Sequence, residues 1–341
     1  MALAGAGYIA VVHALAARSA GLTVRSVASG GGTSARHLAG ELDARRVTPD
    51  ALPDGAGLLI VATPPEFHVP LALQGLAAGA MVLVEKPIAT TLAGADRLVD
   101  SVGAGVLRCG ENLLHSPIWT QAMSLRSQLG PLSHLSLRTL QPPPDWGHFR
   151  EPLPFGGVLF DLGPHAIALA LGLADDELVG VRGSLRSMRD DGADDDARVE
   201  LRFASGLTAS VEISWVSEHT VWEAQAASDL GVLRMELLPE VLLEFGGEPV
   251  EVQLRHAGVE PTLEQFGYVD QLLDLVADDP ARPGQDAVAA RRVLEVICAA
   301  YASAASEPTD SGDAAGRVLG DEVPLPFTGD RSRTPMSLWR D

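Results

Sequence analysis

The sequence predicts an α/β protein with an N-terminal Rossmann domain, a doubly wound parallel sheet. A C-terminal α+β domain follows, with an open-faced, mostly antiparallel sheet. Three observations carry this. Residues 1 to about 114 alternate short apolar strands with helical patterns, as in sheets buried on both faces by crossover helices. A glycine-rich turn, Gly5-Ala6-Gly7-Tyr8-Ile9-Ala10, joins the first strand to the first helix. From about residue 131 the apolar period becomes two, the signature of half-buried strands. A chain of 341 residues, 46% apolar, is long enough for two domains with separate cores. We set them at 1–114 for a dinucleotide and 115–341 for substrate and oligomer contacts, ending in an extended tail.

In the first domain, Leu58 to Ala62 is a continuous apolar strand ending in Thr63-Pro64-Pro65, and Met81 to Val84 is the next, followed by Glu85-Lys86-Pro87. Val69 to Ala78 and Thr91 to Val102 are helical, with Thr91 or Thr90 as N-cap for the second. Only Met1 to Ala4 precede Gly5, fewer than the ~5–6 residues usual for a strand. Either the natural product starts upstream or the first strand is frayed. In the second domain, 132–140, 179–188, 197–203, 207–215 and 232–238 alternate like strands. The acidic run Asp194-Asp195-Asp196 reads as a solvated turn. Residues 263–276 and 286–305 read as helices, both placed in the second domain.

The net charge of −20 repels nucleic acid and anionic membranes, so the expected partner is a small molecule. Two cysteines, each in an apolar run, are too few for a disulfide framework. The N-terminal apolar stretch lacks the basic residues of a signal peptide, and no apolar run approaches the ~18 residues of a membrane span. These point to the cytoplasm. One count is sharper: 24 arginines stand beside a single lysine, Lys86. A lone lysine is what remains where chemistry needs a compact ammonium rather than a planar guanidinium.

The turn fits G-x-G-x-x-A. Gly5 permits the tight turn, Gly7 lets the backbone approach a pyrophosphate, and the helix N-terminus faces the anion. Its position between strand and helix supports a dinucleotide. An acidic residue to grip the ribose diol is missing: the second strand ends at Ser29, before Gly30-Gly31-Gly32-Thr33-Ser34, with Arg36 a turn on. Hydroxyls and loop amides would accept a 2′-phosphate, so NADP is preferred over NAD, against the alternative of a loop indifferent to both. Lys86 lies at the carboxyl end of a parallel strand, where such sheets bind ligands, and Pro87 holds it extended. In Gly156-Gly157-Val158-Leu159-Phe160-Asp161-Leu162-Gly163-Pro164-His165, a single helix would put Asp161 and His165 on one face. On spacing alone the better reading is structural: an aspartate capping the helix and a histidine buried against Ala168 and Leu169.

The order of these three elements resembles the glucose-fructose oxidoreductase, inositol dehydrogenase and rhizopine-catabolism (Gfo/Idh/MocA) family over nearly the whole chain. The resemblance includes Thr63-Pro64 with His68, and Glu111-Asn112 at the domain junction. It implies an oxidoreductase acting on a sugar, polyol or related carbonyl, with Lys86, Asp161 and His165 as the catalytic set and a cis Lys86-Pro87 peptide. It implies cofactor contacts at Gly5, Gly7, Tyr8, Ile9, Ser29, Thr63, Pro64, His68, Glu85 and Lys86, and a homodimer or homotetramer built on the second sheet. Trp146 and Arg150 are candidate pocket residues. Ala168 stands where polyol dehydrogenases of the family often carry an aspartate, which weakens the polyol assignment. The same fold hosts NAD-dependent glycosidases without net redox and dinucleotide-binding regulators, which remain the alternatives.

Overall fold

A computed structural model describes residues 1–30, 32–144, 156–189, 192–277 and 285–306. Trp146, Arg150, the turn residues Asp190 and Asp191, and the tail after 306 lie outside the described residues. The chain forms two compact units. The first holds residues 1–116 and 255–292, and the second holds 117–254 and 293–306. The segment 255–292, assigned from sequence to the second domain, thus belongs with the first. Its apolar residues Val269, Leu272 and Leu275 pack in one cluster with Ala10, Ala14 and Ala17 of the first helix, Tyr8–Ser19. The helix signal was legible, but what covers its apolar face is a tertiary matter.

In the first unit six strands among the described residues run parallel: β1 (Ala2–Ala4), β2 (Ser26–Ala28), β3 (Arg45–Arg46), β4 (Leu58–Val61), β5 (Met81–Glu85) and β6 (Leu107–Gly110). Their order is β6-β5-β4-β1-β2-β3, and the return strand Gln285–Asp286 adds antiparallel to β6. The order reverses at β1, so β1 and β4 flank the crevice where such sheets bind nucleotides. β1 is short but not frayed. All three residues are fully buried and paired on both sides, with β2 and β4. Thr91 caps helix Leu92–Ser101, its hydroxyl accepting from Gly94 N at 3.0 Å.

The second unit is an eight-stranded sheet among the described residues: β7 (His134–Leu140), β8 (Leu178–Arg186), β9 (Asp196–Phe203), β10 (Thr208–Ser214), β11 (Val221–Ser228), β12 (Gly231–Leu238), β13 (Leu242–Phe245) and β14 (Glu248–Val250). The order is β14-β13-β12-β11-β7-β10-β9-β8, with one parallel pair, β7 and β10, at its centre. β11 was not foreseen, because its inward residues Ala224 and Ala226 give a weak alternation. One face buries Leu135, Leu137, Val199, Leu201, Val211, Ile213, Leu233 and Met235. Helices Pro117–Arg126 and Gly163–Ala174 pack on the sheet. The other face carries a row of charges across six strands: Arg198, Glu212, Arg138, Glu223, Arg234 and Glu244, each ion-paired to the next.

Candidate active site

At the nucleotide end of the first unit, Gly5 has φ +117°, and a Cβ there would overlap the Ala62 carbonyl of the neighbouring strand's end. Only glycine fits. Gly7 has nothing within 4 Å of where its Cβ would stand, an open approach to the backbone. Helix Tyr8–Ser19 begins without a side-chain cap and without an acid in its first turn, so its positive end is left for an anion. Tyr8 is exposed there, Ile9 half-buried. Ser29 directly follows β2. At the end of β4, the Thr63 hydroxyl is buried with no hydrogen-bond partner among the described residues. These features fit a dinucleotide: bare glycines, a helix N-terminus and an orphaned hydroxyl along one sheet edge.

His68 joins the loops that follow β4 and β5. Its Nε2 lies 2.9 Å from the Thr63 carbonyl, and its Nδ1 2.8 Å from that of Pro87. Both acceptors are carbonyls, so only a protonated ring donates to both. Burial opposes that and pushes the His68 pKa down. Pro64 opens the short helical turn leading to His68. The Lys86-Pro87 peptide is cis, as expected.

Glu85, expected at the cofactor, has partners that the sequence did not suggest. Its carboxylate is buried, accepts from His13 Nε2 at 2.6 Å and from the Lys86 backbone N at 3.1 Å, and packs against Gly110. Burial alone would raise its pKa. The bond and charge of His13, with Lys86 and His68 nearby, outweigh burial and hold it below the usual value. Tyr268, from the returning segment, stands edge-on to His13 at 5.7 Å. Neither His13 nor Tyr268 was singled out from sequence. A histidine in an otherwise apolar helix face was the only available sign. Beside this group, Asn112 is fixed by a 2.7 Å bond from its Nδ2 to the Phe266 carbonyl.

In the second unit, Asp161 and His165 are both buried. They do not share one regular helix. Val158–Asp161 makes a single turn, and a second helix, Gly163–Ala174, starts after Leu162. The break has a local cause: Gly163-Pro164 begins a new first turn, where proline's fixed φ and missing N–H are tolerated. His165 faces Trp222 of β11, with ring centres 5.8 Å apart and planes tilted by 38°. The Trp222 indole donates to Gln141 Oε1 at 3.1 Å. The acidic run is not a solvated turn. Asp195 is fully buried, and the Asp194 carboxyl is enclosed, with burial raising its pKa to about 6.

Residues 1–107 match the oxidoreductase family with an NAD-binding Rossmann fold, and residues 121–234 match the GFO/IDH/MocA C-terminal domain. The chain belongs to the GFO/IDH/MocA oxidoreductase family. It is an NAD(P)-dependent dehydrogenase or reductase acting on CH–OH groups. Among curated proteins it is 28% identical over 290 residues to a putative UDP-kanosamine synthase oxidoreductase subunit of Amycolatopsis mediterranei, covering 73% of this chain and 79% of that one. It is 30% identical over 178 residues to dTDP-3,4-didehydro-2,6-dideoxy-alpha-D-glucose 3-reductase of Streptomyces antibioticus, covering 50% and 54%. Among solved structures, GenD2 from gentamicin A biosynthesis, in complex with NAD, superposes with TM-score 0.77 at 26% identity, covering 89% of this chain and 93% of that one. The WlbA dehydrogenase of Bordetella pertussis shares the fold, with TM-score 0.74 at 20% identity over 89% and 95%. No helix among the described residues is long and apolar enough to cross a membrane, and Cys109 and Cys298 are buried and not disulfide-bonded.

Proposed function

We propose that the chain oxidises a ring hydroxyl, or reduces the matching ketone, on a sugar carried by a nucleoside diphosphate. The observation that carries this is the intact set Lys86, Asp161 and His165 on a family scaffold whose buried Glu85–His13 pair backs the lysine. The curated relatives support the nucleotide-linked class, since both are named for UDP- or dTDP-sugars. The bound nicotinamide supplies the hydride acceptor or donor. Gly5, Gly7, Tyr8, Ile9, Ser29, Thr63, Pro64, His68 and Glu85 hold the dinucleotide. Lys86 hydrogen-bonds the reacting oxygen and lowers its proton affinity, His165 moves the hydroxyl proton, and Asp161 orients a substrate hydroxyl. Homo-oligomers form through the second sheet, and the enzyme works in the cytoplasm, where buried thiols stay reduced.

The test is a panel of UDP- and dTDP-sugars, free sugars and polyols, each with NAD⁺ and NADP⁺, followed by nicotinamide absorbance. Stoichiometric reduction with a nucleotide sugar supports the proposal. Turnover of free sugars or polyols alone rejects the substrate class, and hydrolysis without net reduction favours the glycosidase chemistry. With Ser29 where an acid would repel a 2′-phosphate, NADP(H) binds at least about tenfold tighter than NAD(H), the worth of one or two bonds to phosphate. Ser29→Asp reverses the order. Calorimetry showing equal or tighter NAD(H) binding by the unaltered protein rejects this preference.

A further inference from the structure

Asp194 has no part in the chemistry assigned above, yet it meets the start of the Asp161–His165 segment at several points. Its carbonyl oxygen accepts from Val158 N at 2.8 Å, and its Oδ2 accepts from Leu159 N at 3.0 Å. Two donors that a helix start leaves unsatisfied are thereby paired. Gly157, with φ +109°, turns its bare α-carbon to the carboxylate, and a Cβ there would overlap it. On its other side, Asp194 Oδ1 accepts from the Tyr301 hydroxyl at 2.8 Å, which ties it to helix Ala287–Ser306.

The holder is itself held. Asp195 N donates to the Arg186 carbonyl at 2.9 Å, and the Asp195 carbonyl accepts from Trp215 N at 2.8 Å. The Asp195 carboxylate accepts from Met188 N and Arg189 N, both at 2.8 Å. The ends of β8 and β10 therefore fix the position of Asp194. From there the backbone passes the constraint on. Asp161 N bonds the Gly157 carbonyl at 3.1 Å, Leu162 N that of Val158 at 2.9 Å, and Ala166 N that of Leu162 at 3.4 Å.

We propose that Asp194 is a positioning residue for the reaction, latching the one-turn helix that ends at Asp161 and so setting where Asp161 and His165 stand. The proposal rests on the reading that those two residues are catalytic. With its pKa raised by burial to about 6, Asp194 is mostly ionised at neutral pH, the form that accepts from both Leu159 and Tyr301.

The test compares Asp194→Asn with Asp194→Ala in the full chain, by NMR of the His165 ring, assigned by His165→Gln, and by amide exchange at Leu159. Both variants lose the charge, but only Asn keeps an acceptor. In Asp194→Asn the cross-relaxation between His165 and Trp222 persists. In Asp194→Ala it weakens, and Leu159 exchanges roughly tenfold faster, the equivalent of about one hydrogen bond. A folded Asp194→Ala with unchanged cross-relaxation and exchange overturns the proposal. Should Asp194→Ala not fold, Tyr301→Phe removes one tether and is read the same way. A smaller loss in the same direction supports the latch, and none overturns it. Failure of the catalytic reading shows separately, as turnover retained in His165→Gln.

Discussion

Two carboxylates, the buried Glu85 in the first unit and the half-buried Asp194 in the second, stand behind the residues assigned to chemistry, and they are held by opposite means. Glu85 precedes Lys86 and pairs with His13, an ionisable partner, so its charged form is favoured despite burial. Asp194 backs the Asp161 turn and takes its bonds from a backbone amide and a tyrosine hydroxyl. Those bonds only partly offset desolvation, and its pKa rises to about 6. Burial depth alone does not decide whether an acid stays charged. The partner decides, and the two carboxylates therefore contribute to the pH dependence of stability with opposite signs.

The largest expected effect breaks the first holder. His13→Ala leaves the buried Glu85 carboxylate without the ring that donates to it, at a cost of about 3 kcal/mol, the upper end for a stranded buried acceptor and fitting for a charged one. Tyr301→Phe removes one neutral donor and costs only about 1 kcal/mol. Denaturant titrations giving similar losses for the two would erase the distinction. Next comes Lys86→Arg, which keeps the charge but replaces a compact donor with a wide fork. It lowers kcat by about 10²-fold with cofactor affinity intact, and near-normal turnover would make the sole lysine incidental. Amine-reactive reagents should then modify one side chain, with bound cofactor protecting it.

The pH dependence of stability sharpens the contrast further. Glu85, with its folded pKa depressed, contributes stability present above its usual 4.5 and lost as pH falls through the folded value. Asp194, raised from 3.8 to about 6, contributes stability present below 3.8 and lost as pH rises toward 6. Relative to the unaltered protein, Glu85→Gln should thus be most destabilising at neutral pH, and its cost should shrink in acid. Asp194→Asn should gain relative stability between pH 4 and 6, by an amount on the order of 2–3 kcal/mol. Parallel pH profiles for the two variants would contradict this. The smallest effect lies on the charged face of the second sheet. Arg138, 46% exposed, bridges Glu212 and Glu223 there. Arg138→Ala should change stability by about 1 kcal/mol or less, and less still at high salt.

Much of the cofactor unit was legible because its determinants are local. Gly5 is required by the path of one turn, and β4 and β5 announce themselves as unbroken apolar runs. Thr91 is a cap by residue type and position. What escaped depends on pairing distant in sequence. His13 and Glu85 are 72 residues apart, and Asp194 and Tyr301 are 107 apart. An aspartate run also looks soluble until the amides that it serves are known. The stretch 263–276 was read as one helix, whereas it is two, Pro261–Gln265 and Tyr268–Ala277, broken at Gly267 with φ +79°; it was also placed in the second unit, because amphipathicity shows that a face is covered without naming the cover.

That returning helix bears on the order in which the chain is made. Synthesis runs from the N-terminus at roughly 5–20 residues per second, and domains generally fold as they emerge. The nucleotide unit cannot close its core when residue 116 leaves the ribosome, because Val269, Leu272 and Leu275 do not yet exist. The whole second sheet, ending at Val250, is translated first. The earliest part of the chain to appear is therefore not the first to mature, and until the returning helix arrives the first helix keeps an uncovered apolar side, a natural foothold for a chaperone.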